Sequence, residues 1–200
     1  MLTIDQIRSA LHKTPHDPLP FERGPSWASV AMIFGENGKG LEVLFIKRAE
    51  RQGDPWSGHV AFPGGRASPR DADASTVAER ETLEEIGLTL QRTQRVAPLP
   101  ELPVRRNDVH VSLTLSPFVY HIGPKRDDMR LNHEVDQVFW VPLAHLFDAA
   151  NTARVEFVRN GEELSFPGVR YERNIIWGLT LRVLGVFAER LERKLPALHA

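Results

Sequence analysis

The stretch Arg80-Glu81-Thr82-Leu83-Glu84-Glu85-Ile86-Gly87-Leu88 says most about the fold and the chemistry of this chain. Successive residues of a helix are about 100° apart, so Glu81, Glu84 and Glu85 share one face if this stretch is helical. Like charges at that spacing destabilise an isolated helix by roughly 0.2–0.5 kcal/mol per pair, so the arrangement needs a compensating cation. Arg80 can neutralise part of this charge. Hard oxygen ligands on one rigid face suit Mg²⁺ or Mn²⁺.

The residues around this stretch predict a helix from about Asp73 to Ile86. Asp73 or Ser75 is a suitable N-terminal cap, and Gly87 is the usual residue type just past a helix C-terminus. We expect Leu83 and Ile86 to belong to the packing side of the helix. A run of glutamates is also common on a solvated helix face, and that alternative needs no metal ion.

Segments on both sides of this helix predict strands and two more helices. Trp27–Phe34 and Leu41–Ile46 flank turn-forming residues and predict a hairpin. The other predicted elements are a short opening helix with apolar positions at Ile4, Ile7 and Leu11, strands at Val60–Phe62, Leu90–Val96, Val111–Tyr120 and Val135–Val141, a turn at Asn160-Gly161 between strands near Val155 and Leu164, and a helix from Ile175 to about Arg193. Strands interspersed with helices predict an α/β fold built on a mixed sheet.

Composition narrows the classes of function. The formal net charge is −1, and no basic stripe with interleaved aromatic residues is present, so we expect neither nucleic acid nor an anionic membrane as partner. The absence of cysteine excludes a disulfide framework, a zinc–thiolate site and a cysteine nucleophile. The N-terminus lacks a signal-peptide pattern, and no apolar run approaches the roughly 20 residues of a membrane span, so we expect a cytoplasmic protein.

Gly65, together with Arg80–Leu88, resembles the signature of the Nudix hydrolases. That pattern is Gly, five residues, Glu, seven residues, and then Arg-Glu-apolar-any-Glu-Glu-any-Gly-apolar. Asp71 stands where the first Glu is usual, and Thr82 occupies an apolar position. Eight residues rather than seven separate Asp71 from Arg80, which leaves open whether Asp71 supports Arg80 as the family's first Glu does.

The resemblance implies a Nudix-type α/β/α sandwich with a mixed β-sheet. The expected organisation is a single Nudix hydrolase domain over residues 1–200, with an N-terminal helix and connector at 1–24, the Nudix-box loop and helix at 64–88 and the C-terminal helix at 175–193. It also implies Mg²⁺-dependent, or Mn²⁺-dependent, hydrolysis of a diphosphate linkage in a small nucleotide-type molecule. Members of the family often form homodimers, so a homodimer is a further expectation.

The resemblance also implies roles for individual residues. Glu81, Glu84 and Glu85 would be metal ligands, and Arg80 would orient them. The turn at Gly65 could add a backbone carbonyl ligand. A more distant glutamate often serves as ligand or base in this family, and Glu134 is the candidate here because it precedes Trp140-Val141-Pro142. The alternative for Glu134 is a carboxylate in a surface loop.

A second resemblance concerns substrate. Residues 44–49 and then 58–65 resemble the motif that the coenzyme A diphosphatase branch has immediately before its Nudix box, which implies coenzyme A or an acyl-CoA as substrate. Arg48 is then a candidate for contacting phosphate, although it could be an ordinary charge at a strand end. The second arginine of the motif is displaced, and Arg51 can substitute for it. Asp54-Pro55-Trp56-Ser57 also departs from the usual residues.

Other side chains and other functions stay open. Trp56, Trp140 and Trp177 can stack on an adenine or fill the core. Arg105-Arg106 can reach phosphates or be solvated, and His59 is interpreted as structural. The alternative substrates are ADP-ribose, dinucleoside polyphosphates and oxidised nucleotides. A protein that kept the fold and binds a ligand without turnover is the non-enzymatic alternative.

Overall fold

The structure is a computed structural model that describes residues 2–13, 16, 18–24, 26–53, 56–104, 113–124, 128–159 and 162–199. The helices in these ranges are α1 (Ile4–Lys13), α2 (Ala74–Ile86), α3 (Leu143–Leu146) and α4 (Gly178–Arg190). The strands are β1 (Trp27–Asn37), β2 (Gly40–Arg48), β3 (Val60–Ala61), β4 (Gly64–Arg66), β5 (Arg95–Pro98), β6 (Leu102–Val104), β7 (Leu113–Pro124), β8 (Val135–Pro142), β9 (Thr152–Arg159), β10 (Glu162–Tyr171) and β11 (Asn174–Trp177).

Two sheets form from these strands. The larger one contains eight of them, in the order β3-β2-β1-β7-β5, with β4 paired to β1, β6 to β7 and β8 to β2. Strands β1 and β7 run parallel, whereas β1 and β2 form the antiparallel hairpin expected from the turn residues between them. Strands β11, β10 and β9 make a separate antiparallel sheet. The predicted mixed sheet is therefore confirmed. The strands near Val155 and Leu164 were also expected, but their separation into a second sheet with β11 was not foreseen.

Alternate residues of β1 pack against different helices. Met32 and Phe34 belong to the core that contains α1 and α4, and the Phe34 ring lies 5.5 Å from the ring of Phe187 in α4. Ala31 and Ile33 point the other way, into the core that contains α2. Successive side chains of a strand face opposite sides of a sheet, so helices cover both faces. This confirms the α/β/α sandwich.

The bounds of α2 agree with the prediction, but its packing side does not. Asp73 caps the helix by accepting a hydrogen bond from the backbone N–H of Thr76 at 2.8 Å, and Gly87 ends it at φ 69°. Leu83 is 49% exposed, so its assignment to the packing side is wrong. The buried residues of the helix are Ser75, Val77, Ala78, Thr82, Glu85 and Ile86. Thr82 fits an apolar position because its hydroxyl donates to the carbonyl oxygen of Ala78 at 2.7 Å.

Two predicted bounds are wrong. The strand expected over Leu90–Val96 is confined to Arg95–Pro98, because a turn of 3-10 helix at Arg92–Gln94 precedes it. The last helix begins at Gly178 rather than at Ile175. The apolar residues before Gly178 pair with β10 as strand β11, and this pairing satisfies their backbone groups outside the helix.

Two other predicted elements lie wholly or partly outside the described residues. The turn at Asn160-Gly161 lies outside the described residues, although β9 and β10 pair on either side of it. The first two residues of the strand expected over Val111–Tyr120 also lie outside them, and β7 continues to Pro124. The opening helix is confirmed, with reciprocal hydrogen bonds between Thr3 and Gln6. No described helix is long and apolar enough to cross a membrane.

Candidate active site

A cavity of about 360 Å³ lies where β1, β3, β4, β7, α2 and α4 meet. Three groups of residues within its lining are named here. The acidic end consists of Gly64, Gly65, Glu81, Glu85 and Glu134; the aliphatic floor consists of Ala28, Val30, Leu113, Leu115 and Val183; the aromatic rim consists of Trp56, His59 and Trp177. Arg48 also lines the cavity. A polar end and an apolar wall thus share one space.

Glu85 is the most deeply buried carboxylate of the acidic end. It is 2% exposed, and its Oε2 accepts a hydrogen bond from the backbone N–H of Gly64 at 2.9 Å. Burial raises the pKa of Glu85 to about 8, and the negative charges of Glu81 and Glu134 act in the same direction. The Gly64 N–H and the charge of Arg48 oppose this rise. A deprotonated Glu85 is therefore costly unless more positive charge reaches it.

Arg80 joins the turn after β4 to the carboxylates of α2. Its Nη1 donates to Glu81 Oε1 at 2.8 Å and to Glu84 Oε2 at 3.1 Å. Its Nη2 donates to the carbonyl oxygen of Arg66 at 3.1 Å. A guanidinium presents its donors in a fixed planar fork, so these contacts hold the two carboxylates in defined positions.

Asp71 forms a salt bridge with the same guanidinium. Arg80 Nε and Nη2 donate to the two oxygens of Asp71 at 3.0 and 3.1 Å, and the backbone N–H of Ser68 donates to it at 2.7 Å. Burial by itself would raise the pKa of Asp71, but these hydrogen bonds outweigh it and hold the pKa below its usual range. Despite the longer spacing, Asp71 supports Arg80.

Gly65 lies directly against Glu81. A Cβ atom at this position would be 2.5 Å from Glu81 Cδ, so the carboxylate can keep this position only while residue 65 is glycine. The Glu81 side chain is 17% exposed, and burial raises its pKa even though Arg80 opposes the shift. The turn thus brings backbone atoms next to two glutamates of α2.

Glu134 reaches the acidic end from the segment after β7. The backbone N–H of Asn132 donates to the carbonyl oxygen of Glu85 at 2.9 Å, which attaches this segment to the C-terminal turn of α2. The side chain of Glu134 is 37% exposed and accepts a hydrogen bond from Arg51 Nη1 at 3.2 Å. Arg51 also donates to the carbonyl oxygen of His133 at 3.4 Å.

The structure brings most of the predicted site residues together. Those that line the cavity are Gly65, Glu81, Glu85, Glu134 and Arg48. The other three contact this group from outside the lining: Arg80 and Arg51 through the pairs above, and Glu84 through Arg80, with a side chain that is 54% exposed. Of the tryptophans, Trp140 is buried in the core beneath α2, whereas the other two form part of the rim. Arg105-Arg106 lies outside the described residues.

The carboxylates of α2 form hydrogen bonds to other groups of the chain in this structure. Over the described ranges, no three His, Cys, Asp or Glu side chains form a group that could hold a metal ion. Arg80 engages Glu81 and Glu84, while Glu85 faces the backbone of Gly64. A metal ion would therefore bind together with a change in these side-chain contacts.

The wall contributed by α4 was missed by reasoning from the sequence. Leu179, Thr180 and Val183 line the cavity, although they lie almost a hundred residues after the acidic helix. The hydroxyl of Thr180 donates to the carbonyl oxygen of Val60 at 2.9 Å and joins this helix to β3. A helical apolar pattern shows that a helix has a packing face but not what that face contacts, so the sequence did not place these residues at the site.

Comparison with known proteins gives a family and two informative relatives. The family model for the NUDIX domain matches residues 25–160. Mitochondrial coenzyme A diphosphatase NUDT8 of Homo sapiens is 34% identical over 152 residues, which cover 74% of this chain and 62% of that protein. The NUDT8 of Mus musculus is 32% identical over 141 residues, covering 69% of this chain and 65% of that protein. The chain thus spans less than two thirds of either relative's length.

A solved structure has the same architecture. The crystal structure of a MutT/nudix family protein from Enterococcus faecalis matches with a TM-score of 0.59 at 17% identity, over 99% of this chain and 74% of that one. At this identity the likeness concerns the fold alone.

Proposed function

The chain belongs to the NUDIX domain family, and on that premise we propose that it hydrolyses a diphosphate linkage in a nucleoside diphosphate derivative, in the first place coenzyme A or an acyl-CoA. The observation behind this proposal is the acidic end, where Glu81, Glu85 and Glu134 share a cavity with the aliphatic floor. Carboxylates in this setting suit a metal-assisted reaction at phosphorus, and the floor suits the organic part of a substrate.

The donor set fits a hard divalent cation. Glu81, Glu84 and Glu85 offer only oxygen atoms, and the carbonyl of Gly65 is the proposed backbone ligand beside them, which matches the preference of Mg²⁺ and Mn²⁺. The raised pKa of the buried Glu85 supports the assignment, because its anion needs positive charge that the surrounding residues supply only in part. When bound, such an ion neutralises phosphate charge and lowers the pKa of a water molecule.

The chain's own groups orient these ligands. Arg80, held by both oxygens of Asp71, fixes Glu81 and Glu84 relative to the turn, and the Gly64 N–H fixes Glu85. These contacts keep the carboxylates at the acidic end, so binding of a metal ion would exchange hydrogen bonds there without moving the helix or the turn. We therefore assign orienting roles to the Arg80 side chain and the Gly64 backbone.

Glu134 is the proposed general base, and Arg51 positions it. Substitution Glu134→Gln keeps the shape of the side chain but removes its basicity, so we expect kcat to fall roughly 10²- to 10⁴-fold with an unchanged melting temperature. Asp136→Asn is a matched control, because Asp136 is also acidic, lies two residues away and has a side chain that is 59% exposed. Wild-type turnover by correctly folded Glu134→Gln would remove Glu134 from the mechanism.

Two observations support coenzyme A or an acyl-CoA as the substrate. The relatives from human and mouse are coenzyme A diphosphatases by name. The aliphatic floor offers a surface for a flexible organic chain beside the acidic end, and Arg48 lines the same cavity as a candidate phosphate contact. A dinucleotide with two polar nucleosides would gain less from that floor.

A substrate panel tests the proposal. Purified protein with Mg²⁺, and in parallel with Mn²⁺, is incubated with coenzyme A, acetyl-CoA, ADP-ribose, a dinucleoside tetraphosphate and an oxidised nucleoside triphosphate. We expect the highest kcat/KM for coenzyme A or acetyl-CoA, with two phosphomonoesters as products and no turnover in EDTA. Preference for another compound would reassign the substrate, and binding without any turnover would identify a ligand-binding regulator.

The organisation of the protein is part of the same proposal. We propose that residues 1–200 act as one domain in the cytoplasm, as a homodimer, without nucleic acid or membrane as partner. Light scattering coupled to size exclusion measures the mass of the assembly, and cell fractionation measures its location. A monomeric mass or a membrane-bound pool would correct the corresponding statement without affecting the proposed chemistry.

A further inference from the structure

The aromatic rim brings together three ring side chains from two distant parts of the chain. Trp56 and His59 precede β3, and Trp177 immediately precedes α4. The rings of His59 and Trp177 are 4.7 Å apart between centroids, and Phe166 of β10 packs on Trp177 at 5.7 Å. Trp56 is 37% exposed. The rim therefore combines rings that pack on one another with one indole that is partly exposed.

The aliphatic floor differs from the rim in both burial and chemistry. Leu115 is 3% exposed and Val183 1% exposed, so the floor is a buried, aliphatic surface. The rim is less buried and carries two indoles and an imidazole. Flat aromatic surfaces gain by stacking on another ring, whereas an aliphatic chain gains only by losing contact with water. The two surfaces should therefore select different parts of one substrate.

We propose that the aromatic rim is a subsite for the planar base of the substrate, with Trp177 as its main contact. This inference rests on the proposed function, because it takes the diphosphate to lie at the acidic end. The base then lies on the rim, and the floor is left for the rest of the molecule. Trp177 falls outside the segment 25–160 that matches the family model.

Thr180 positions the two sides of the rim relative to each other. It is 8% exposed, and its hydroxyl donates to the carbonyl oxygen of Val60 at 2.9 Å. Val60 directly follows His59, and Thr180 lies three residues after Trp177. This hydrogen bond therefore connects both ring-bearing segments at a buried point, where loss of a partner is costly.

Calorimetric titration with two ligands isolates the contribution of the base. Ribose 5-phosphate has a hydroxyl group where adenosine 5′-monophosphate has the base, so the ratio of their Kd values measures the contribution of the base, and variants of Trp177 assign that contribution to the rim. We expect the full chain with Mg²⁺ to bind the first at least about tenfold more tightly. Trp177→Leu, which stays apolar but loses the ring, should bring that ratio close to one, and Trp177→Phe should keep most of it. Trp140→Phe, a change in the core, should leave it unchanged.

The outcomes separate this inference from the proposed function. Equal affinity for the two ligands in the wild type, or an unchanged ratio in folded Trp177→Leu, overturns the subsite. A large ratio that depends on Trp177, in a protein that does not hydrolyse coenzyme A, keeps the subsite and rejects the proposed substrate. If Trp177→Leu fails to fold, the wild-type ratio and Trp177→Phe decide instead. A complete loss of the preference for adenosine 5′-monophosphate in Trp177→Phe would also overturn the subsite.

Variants of Thr180 test the positioning role. Thr180→Val removes the hydroxyl at nearly constant volume, so we expect the Kd ratio to fall about threefold with a smaller change in the affinity for ribose 5-phosphate. Thr180→Ser restores the donor and should restore the ratio. The same ratio in folded Thr180→Val as in the wild type would show that the hydrogen bond only stabilises the fold.

Discussion

The acidic end and the aliphatic floor occupy the same cavity but are built in opposite ways. Most of the acidic end comes from one turn and one helix, and its side chains are held by directed hydrogen bonds such as those of Arg80. The floor combines β1, β7 and α4, and its apolar side chains are held by packing. Groups that depend on exact geometry thus lie on one rigid element, while the surface for the organic moiety is assembled from distant segments.

The largest expected loss of activity follows from removing negative charge from the proposed metal ligands. Glu84→Gln combined with Glu85→Gln should lower kcat/KM at least roughly 10³-fold, or about 4 kcal/mol, because two proposed oxygen ligands become neutral amides. The melting temperature should stay similar or rise, since buried negative charge is relieved. Glu79→Gln is the control on the same helix, because Glu79 contacts Tyr120 instead of the cavity. Activity that survives the double change would mean that α2 is not the active site.

The next effect concerns how stability depends on pH without metal. The pKa of Glu85 is about 8 in the fold, against an ordinary value of 4.5, so its stabilising contribution is complete below about pH 4.5 and is lost as pH rises to about 8. We expect the free energy of unfolding in EDTA to fall by roughly 2–4 kcal/mol across that window. Denaturant titrations at several pH values measure it.

Two controls sharpen this pH dependence. Glu85→Gln has no carboxyl group to titrate at this position and should show a flatter profile. A divalent ion should restore stability at pH 8, because it compensates the deprotonated carboxylate. A wild-type profile as flat as that of Glu85→Gln would contradict the unfavourable burial of Glu85.

A smaller effect is expected when the support of the acidic end is broken. Arg80→Ala leaves Asp71 buried without its guanidinium, and removing one partner of a buried pair costs several kcal/mol. Arg80 itself is 28% exposed, so we expect a loss at the low end, about 2–3 kcal/mol, in denaturant titrations. Arg80→Ala combined with Asp71→Asn should recover part of this loss. Equal stability of Arg80→Ala and the wild type would show that the pair adds nothing to the fold.

The smallest of these effects tests the close approach of the turn. Gly65→Ala places a methyl group where Glu81 lies, so the carboxylate has to move. We expect kcat to fall roughly 10- to 100-fold, or about 1.4–2.8 kcal/mol, with a modest change in melting temperature. Ala67→Gly changes a nearby buried position outside the cavity lining by the same single methyl group and serves as the control. If Gly65→Ala keeps full activity, the position of Glu81 does not depend on this contact.

The predicted ends of α2 were confirmed, because contacts between residues close in sequence determine where this helix begins and ends. Asp73 caps α2 and Gly87 ends it because both act within one helical turn. The start of α4 was predicted too early, because Ile175 and Ile176 carry a helical apolar pattern and still pair with β10. The exposure of Leu83 was missed for a related reason, since the sheet selects the helix face that it covers.

The sequence by itself determined the family signature and the helix that carries Glu81, Glu84 and Glu85, because spacing along a helix fixes which side chains share a face. It also limited the ligands of a metal ion to oxygen or imidazole, since the chain has no cysteine. Only the tertiary structure decided that Asp71 holds Arg80 across the longer spacing and that Trp177 and Val183 complete the cavity. These contacts join residues far apart in the chain, and their geometry depends on how the sheet and helices pack rather than on any local pattern.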